Sequence, residues 1–194
     1  MFFAAALEKN ITRSIEAKSR LLDDSYALEQ FDKLVSIVIA AYRTGGRLYI
    51  AGNGGSAADA QHLAAEFVSR LASDRAPLPA EALTVDGSVL TAIGNDYGFE
   101  NVFARQLAGK LRPEDVFLGI TTSGNSPNIL RALEQCRSQG VVGVVFCGRD
   151  GGAARHLADL CILVPGEHTS TIQELHIVLA HTLCECVEAA LFFE

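Results

Sequence analysis

The chain reads as an α/β protein, with a parallel sheet of five strands between helices and a further helical segment at the N-terminus. Three observations carry that reading. Five short apolar runs, at 48–51, 82–85, 116–121, 141–147 and 160–164, lie along the middle of the chain, and several are rich in β-branched residues. Helix-length segments at 56–71, 127–139 and 152–157 lie between them. Strands alternating with helices favour a parallel sheet covered on both faces. Apolar residues also recur at helical spacing at both ends of the chain.

Taken in order, residues 4–42 carry Leu7, Ile11, Ile15, Leu21 and Leu22, then Leu34, Val35, Val38 and Ile39, at roughly helical intervals. Asp23-Asp24-Ser25 breaks this stretch into two helices, and Gly45-Gly46 ends the second. The strand at 48–51 leads into a glycine-rich loop and a helix. The strand at 82–85 is followed by a turn at Ile93-Gly94-Asn95. Pro127 suits the first turn of the helix after the third strand. A long amphipathic helix, 171–192, closes the chain. With no linker, repeat or low-complexity stretch, residues 1–194 form one domain, and residues 1–44 are its N-terminal helices.

Of 194 residues, 49% are hydrophobic, enough to build a core, and the net charge is −7. An acidic chain without a clustered basic face is a poor binder of nucleic acid. Cys136, Cys147, Cys161, Cys184 and Cys186 are odd in number, and none has the Cys-x-x-Cys spacing of a redox or zinc motif. Several sit in apolar runs, as free thiols do in a reducing compartment. The apolar start has no basic region before it and is followed at once by Glu8 and Lys9, so it does not read as a signal peptide. No apolar run reaches the roughly 18 residues of a membrane span. A cytoplasmic protein with neither nucleic-acid nor membrane partners is the expectation.

In open parallel sheets, ligands bind beyond the carboxyl ends of the strands. Two loops there have the chemistry of an anion site. Gly52-Asn53-Gly54-Gly55-Ser56 opens a helix after the first strand. Its glycines let the backbone approach a ligand, and the helix start offers free N–H groups. It matches neither the Walker A loop nor the dinucleotide fingerprint. A tight turn with Ser56 as N-cap explains it equally well. Thr121-Thr122-Ser123-Gly124-Asn125-Ser126 sets four hydroxyls around one glycine at another helix start. Capping accounts for one or two hydroxyls more easily than for four, which favours a phosphate site.

His62 and Glu66 are four apart and share one helix face, and Gln173 and His181 are eight apart on the last helix. A carboxylate and an imidazole suit the movement of a proton between neighbouring carbons. A plain i,i+4 pair on a helix surface accounts for His62 and Glu66 as well. Eight helical residues rise about 12 Å, which is long for two side chains sharing one ion. Asp96 is a candidate sugar contact or a cap, Asn53 either contacts the sugar or suits the turn geometry, and Asp59 is either a partner orienting His62 or a first-turn acid. His156 and His168 have no motif support and read as surface or loop residues, while His176, though close to Gln173, is left out of the site.

Four stretches in order resemble the phosphoheptose isomerases: 51–62, from Ala51 through Gly52-Asn53-Gly54-Gly55-Ser56 to His62; 91–98, around Gly94-Asn95-Asp96; 121–126; and Ile172-Gln173-Glu174-Leu175-His176 with His181 beyond it. The resemblance runs from about Gly46 to Phe192. It implies a sugar isomerase (SIS) fold of five parallel strands and a homotetramer assembled through the N-terminal helices, with active sites where subunits meet. It implies conversion of D-sedoheptulose 7-phosphate to D-glycero-D-manno-heptose 7-phosphate, the first step towards the heptose of lipopolysaccharide or other surface glycans. It also implies zinc held by His62, Glu66, Gln173 and His181, with Glu66 as general base and His181 as general acid. Substrate contacts are implied at Asn53, Gly54, Gly55, Ser56, Asn95, Asp96, Thr121, Thr122, Ser123, Ser126 and Gln173. The chain departs from some family members in carrying Ser170 and Thr171 where they have an acidic and a basic residue. Thr169 stands beside them as a polar substitute.

Other functions fit the same fold. A non-catalytic adaptor that binds the replication initiator protein has similar loops but no need of both Glu66 and His181. A sugar-phosphate-sensing module normally carries a DNA-binding domain, for which the N-terminal helices leave little room. An isomerase of a shorter ketose phosphate would use the same residues.

Overall fold

The computed structural model describes residues 3–193. Two helices come first, α1 (Phe3–Leu22) and α2 (Ser25–Arg43). The break between them falls at the expected acidic pair, where the Asp24 carboxylate accepts from the Ala27 N–H at 3.0 Å and caps α2. Then follow β1 (Leu48–Gly52), α3 (Gly55–Val68), β2 (Ala80–Ala82), α4 (Gly87–Tyr97), a 3-10 turn (Phe99–Asn101) and α5 (Ala104–Lys110). The chain continues with β3 (Val116–Thr121), α6 (Pro127–Gln139), β4 (Val142–Cys147), α7 (Ala154–Leu157), β5 (Leu160–Leu163) and α8 (Thr169–Glu188), which runs into a π-helical turn at Ala189–Phe193.

The five strands are parallel, in the order β2-β1-β3-β4-β5. Alternate strand residues feed two cores. Ile50, Leu118, Ile120, Val144 and Phe146 face one side, under α1, α2, α3 and α8. Tyr49, Ala51, Phe117, Val145 and Cys147 face the other, under α4, α5, α6 and α7. The connection leaves β1 to one side for β2 and returns past it to β3. That reversal opens a crevice at the carboxyl ends of β1 and β3.

The second strand lies earlier than expected. It is Ala80–Ala82, not 82–85, because Leu48 N–H bonds to Pro79 O and sets the register Leu48↔Ala80. Residues 83–85 lead out of the sheet instead. Ile93-Gly94-Asn95 is no turn but part of α4, which Asp86 opens by accepting from Val89 N–H at 2.9 Å. Helix α5 went unforeseen altogether.

The segment Thr169–Phe193 is long and apolar enough, by length and composition, to cross a membrane. Here it is a core helix: Ile172, Leu175, Leu179, Ala180, Leu183 and Val187 are buried, and α8 packs against α3, α1 and α2.

Candidate active site

Two loops meet at the crevice. The loop after β1 turns through Gly54, whose φ of +55° is left-handed, and Gly54 rather than Ser56 takes the N-cap position of α3. Ser56 is buried in the first turn. At Gly55 a Cβ would run into the carboxamide of Gln173, so glycine leaves room for that side chain beside the start of α3.

The loop after β3 turns at Gly124, φ +67°, where a Cβ would meet the Gly151 carbonyl. Thr121 Oγ1 and Ser126 Oγ lie 3.2 Å apart. Ser123 Oγ accepts from the Asn125 N–H, and Asn125 reaches across to the Ala153 N–H. Ser126 takes the N-cap position of α6 without closing its side chain on the helix, and Pro127 follows as expected. Capping therefore does not occupy this hydroxyl.

Asn53 and Asn128 join the two loops by a reciprocal amide pair, with bonds of 2.9 and 2.8 Å. Beside them lies a cleft of about 670 Å³ lined by Asn53, Gly54, Phe99, Glu100, Ser126, Pro127 and Asn128. Asn128, Phe99 and Glu100 were not foreseen. The one available signal for Asn128 was its place in the first turn after Ser126-Pro127. Asn95 and Asp96 bond to each other on the exposed last turn of α4, outside the cleft's lining. Thr122 and Ser123 are half-buried in the loop, also outside that lining.

Seven residues beyond Gly55, about 10 Å along α3, the proton-transfer candidates meet within one chain. His62 Nε2 and Glu66 Oε1 are 3.0 Å apart, and His181 Nε2 is 3.4 Å from His62 Nε2. The two imidazoles stand edge to face with centroids 5.0 Å apart. One ligand atom from each of the three residues lies within 4.8 Å of the others. This donor set fits a divalent cation. Two ring nitrogens facing each other share at most one proton, whereas a cation satisfies both lone pairs and the carboxylate together. Gln173 lies eight residues back on α8, packed at Gly55.

Asp59 makes no hydrogen bond to His62. Its Oδ2 is buried without a hydrogen-bond partner among the described residues, and burial raises its carboxyl above the usual range, partly opposed by His62. His156 and His168 are exposed, the second at the N-cap position of α8. His176 points into the core against Phe146. Among the described residues neither of its ring nitrogens has a hydrogen-bond partner of normal geometry, and burial pushes its pKa down to about 4, only partly offset by the main chain at Cys147.

Residues 12–148 match the SIS domain. The phosphoheptose isomerase of Aneurinibacillus thermoaerophilus is 48% identical over 96% of this chain and 94% of its own. Phosphoheptose isomerase 2 of Campylobacter jejuni is 50% identical over 92% and 89%. The chain belongs to the phosphoheptose isomerases. The solved phosphoheptose isomerase of Neisseria gonorrhoeae superposes with a TM-score of 0.91 at 37% identity, over 97% of this chain and 100% of that one. A phosphoheptose isomerase is a sugar-phosphate isomerase, and the meeting of Glu66 with two histidines beside a crevice suits that chemistry.

Proposed function

We propose that this chain converts D-sedoheptulose 7-phosphate to D-glycero-D-manno-heptose 7-phosphate in the cytoplasm, feeding lipopolysaccharide or other surface glycans. The observation that carries this is the approach of Glu66, His62 and His181, along the helix that opens from one of the two loops suited to phosphate.

The phosphate sits against the start of α6, where Thr121, Thr122, Ser123 and Ser126 supply hydroxyls, and against the backbone of Gly54, Gly55 and Ser56 at the start of α3. Asn53 and Gln173 contact the sugar hydroxyls, and Asn95 and Asp96, exposed on the last turn of α4 outside the cleft's lining, join them where subunits meet. Glu66 takes the proton from C1 of the ketose, while His181 gives a proton to the C2 carbonyl oxygen, forming the enediol. Glu66 returns the carbon-bound proton to C2 and His181 takes up the proton of the C1 hydroxyl, which yields the aldose and restores both groups. His62, bonded to one oxygen of Glu66, orients the carboxylate. His62, Glu66 and His181, with Gln173 as the fourth donor that the resemblance implies, would hold zinc, which when bound supplies Lewis-acid stabilisation of the enediolate oxygens.

The assembly we propose is a homotetramer of single-domain subunits with sites at their interfaces. Phe3, Leu7, Ile11, Ile15 and Leu22 are all at least half exposed, and the first four form an i,i+4 stripe along α1. Light scattering at micromolar concentration gives a tetramer on this reading; a monomer overturns it. Turnover is tested by NMR with sedoheptulose 7-phosphate against pentose and hexose ketose phosphates. Conversion of a shorter sugar in preference moves the substrate assignment. No turnover of any ketose phosphate, and no exchange of the C1 proton with deuterated solvent, favours the adaptor.

A further inference from the structure

Arg75 and Glu188 are charged, yet their side chains are only 1% and 4% exposed. Burying such a pair carries a desolvation cost that mutual attraction barely offsets, so the pair is poorly explained as a source of stability. Its bonds suggest another role. Glu188 Oε1 accepts from Arg75 Nε at 2.8 Å, from Nη2 at 2.6 Å and from the Leu71 N–H at 3.1 Å. The guanidinium's remaining bonds go to main-chain carbonyls. Nη2 donates to Glu66 O at 2.8 Å, and Nη1 to Phe67 O at 2.5 Å, Ala76 O at 3.1 Å and Ser69 O at 3.4 Å. The ring of Phe192 lies 5.8 Å from the guanidinium carbon.

The carbonyls of Glu66 and Phe67 belong to the last turn of α3, where helical partners run out and a cation complements the helix dipole. One of them is the carbonyl of Glu66, the residue read as the base. Glu188 is seven residues beyond His181 on α8, two helical turns along the same face. The pair therefore bridges the same two helices as Glu66 and His181, at the next level along. Elsewhere α3 and α8 bury apolar side chains such as Leu63, Phe67, Leu179 and Leu183 in a common core. Apolar burial is non-directional and sets axial register weakly, whereas hydrogen bonds from a planar fork have fixed directions.

We propose that Arg75 and Glu188 are positioning residues for the isomerisation: their buried pair locks the C-terminal end of α3 to α8 and so sets the separation of Glu66 from His181. This rests on the catalytic reading of Glu66 and His181. A misplacement of about 1 Å between reacting groups is enough to cost on the order of a hundredfold in rate.

Two variants test it. Arg75→Met/Glu188→Leu removes both charges and leaves neither unpaired; Arg75→Lys keeps the charge but loses the fork that reaches Glu188 and Glu66 O together. Each is assayed as folded protein, checked by circular dichroism, beside the wild type. The expected result is a kcat lowered tenfold or more with KM within twofold. A purely structural pair would lower the melting temperature and leave kcat per folded molecule unchanged, and that result in any folded variant overturns the proposal. If the double variant does not fold, Arg75→Lys decides alone. The imidazole NMR signals of His62 and His181 give a reading independent of turnover: they shift in Arg75→Lys if the pair sets their spacing, and coincidence with wild type overturns it. If the wild type turns over no ketose phosphate, the isomerase reading fails, and these signals still decide whether the pair positions the two histidines.

Discussion

The two ends of the crevice are built differently. At the end proposed for the phosphate, two loops are shaped by turns and short bonds: glycines open the loop after β1, and the loop after β3 is tied by Thr121–Ser126 and Asn125–Ala153. At the chemical end, side chains from α3 and α8 touch directly, through Glu66, His62 and His181. A site lined by several hydroxyls and backbone N–H groups keeps most of its donors when one side chain is lost. A site made of three converging side chains does not. Substitutions at the first end should therefore change binding, and those at the second should change the rate of the chemical step.

The largest effect expected is at the chemical end. Glu66→Gln keeps the shape and removes the basicity, so kcat should fall by about two to four orders of magnitude with KM little changed. Exchange of the C1 proton with deuterated solvent should vanish in parallel, and metal content measured on the same sample separates lost base from lost metal. Wild-type exchange in this variant would break the division between the two ends.

Acid should loosen the support that both ends share. His176 lies on α8 between Gln173 and His181, buried and neutral, with a pKa lowered to about 4. The unfolded chain binds this proton already near pH 6.5, so His176 makes stability decline as pH falls from about 6.5 towards 4, by on the order of 3 kcal/mol. Thermal melts of His176→Leu against wild type across that window are the check; equal slopes would remove His176 as the cause.

A smaller, purely binding effect belongs to the loop after β3. Ser126→Ala should raise KM about ten- to a hundredfold, the worth of a hydrogen bond to a charged group at roughly 1.5–3 kcal/mol, with kcat held. An effect on kcat alone would place Ser126 in the chemistry. The smallest effect is at Gly55. Alanine there displaces the Gln173 carboxamide, the free end of a flexible chain, so stability should change by less than about 1 kcal/mol while KM rises a few-fold.

Legibility in the sequence followed the same division. Strand β3 and helix α6 were readable to the residue, because an apolar run ends in hydroxyls and glycine, and a proline then opens the helix. Residues 87–110 were not readable as helices. Gly87, Ser88, Val89, Thr91, Gly94, Asn95 and Asp96 are all weak helix formers, and α4 stands because of the Asp86 cap and the packing of Ile93 into the core. At the site, Glu66 and the histidines could be found by spacing and motif, since the chemistry demands those residue types. Asn128, Arg75 and Glu188 could not, because what marks them is a partner 75 or 113 positions away. Glu188 left a faint trace, an acid followed at once by the apolar run Ala189–Phe193.

The Asn53–Asn128 pair has a consequence for how such a chain can change over generations. Each amide gives one hydrogen and takes one, so the two side chains match each other as complementary letters do. Asn53→Asp would set its oxygen against the oxygen of Asn128, and Asn128→Asp would do the same in reverse. Any route to a different pair passes through a mismatched ancestor, so the two positions should drift together or stay fixed together.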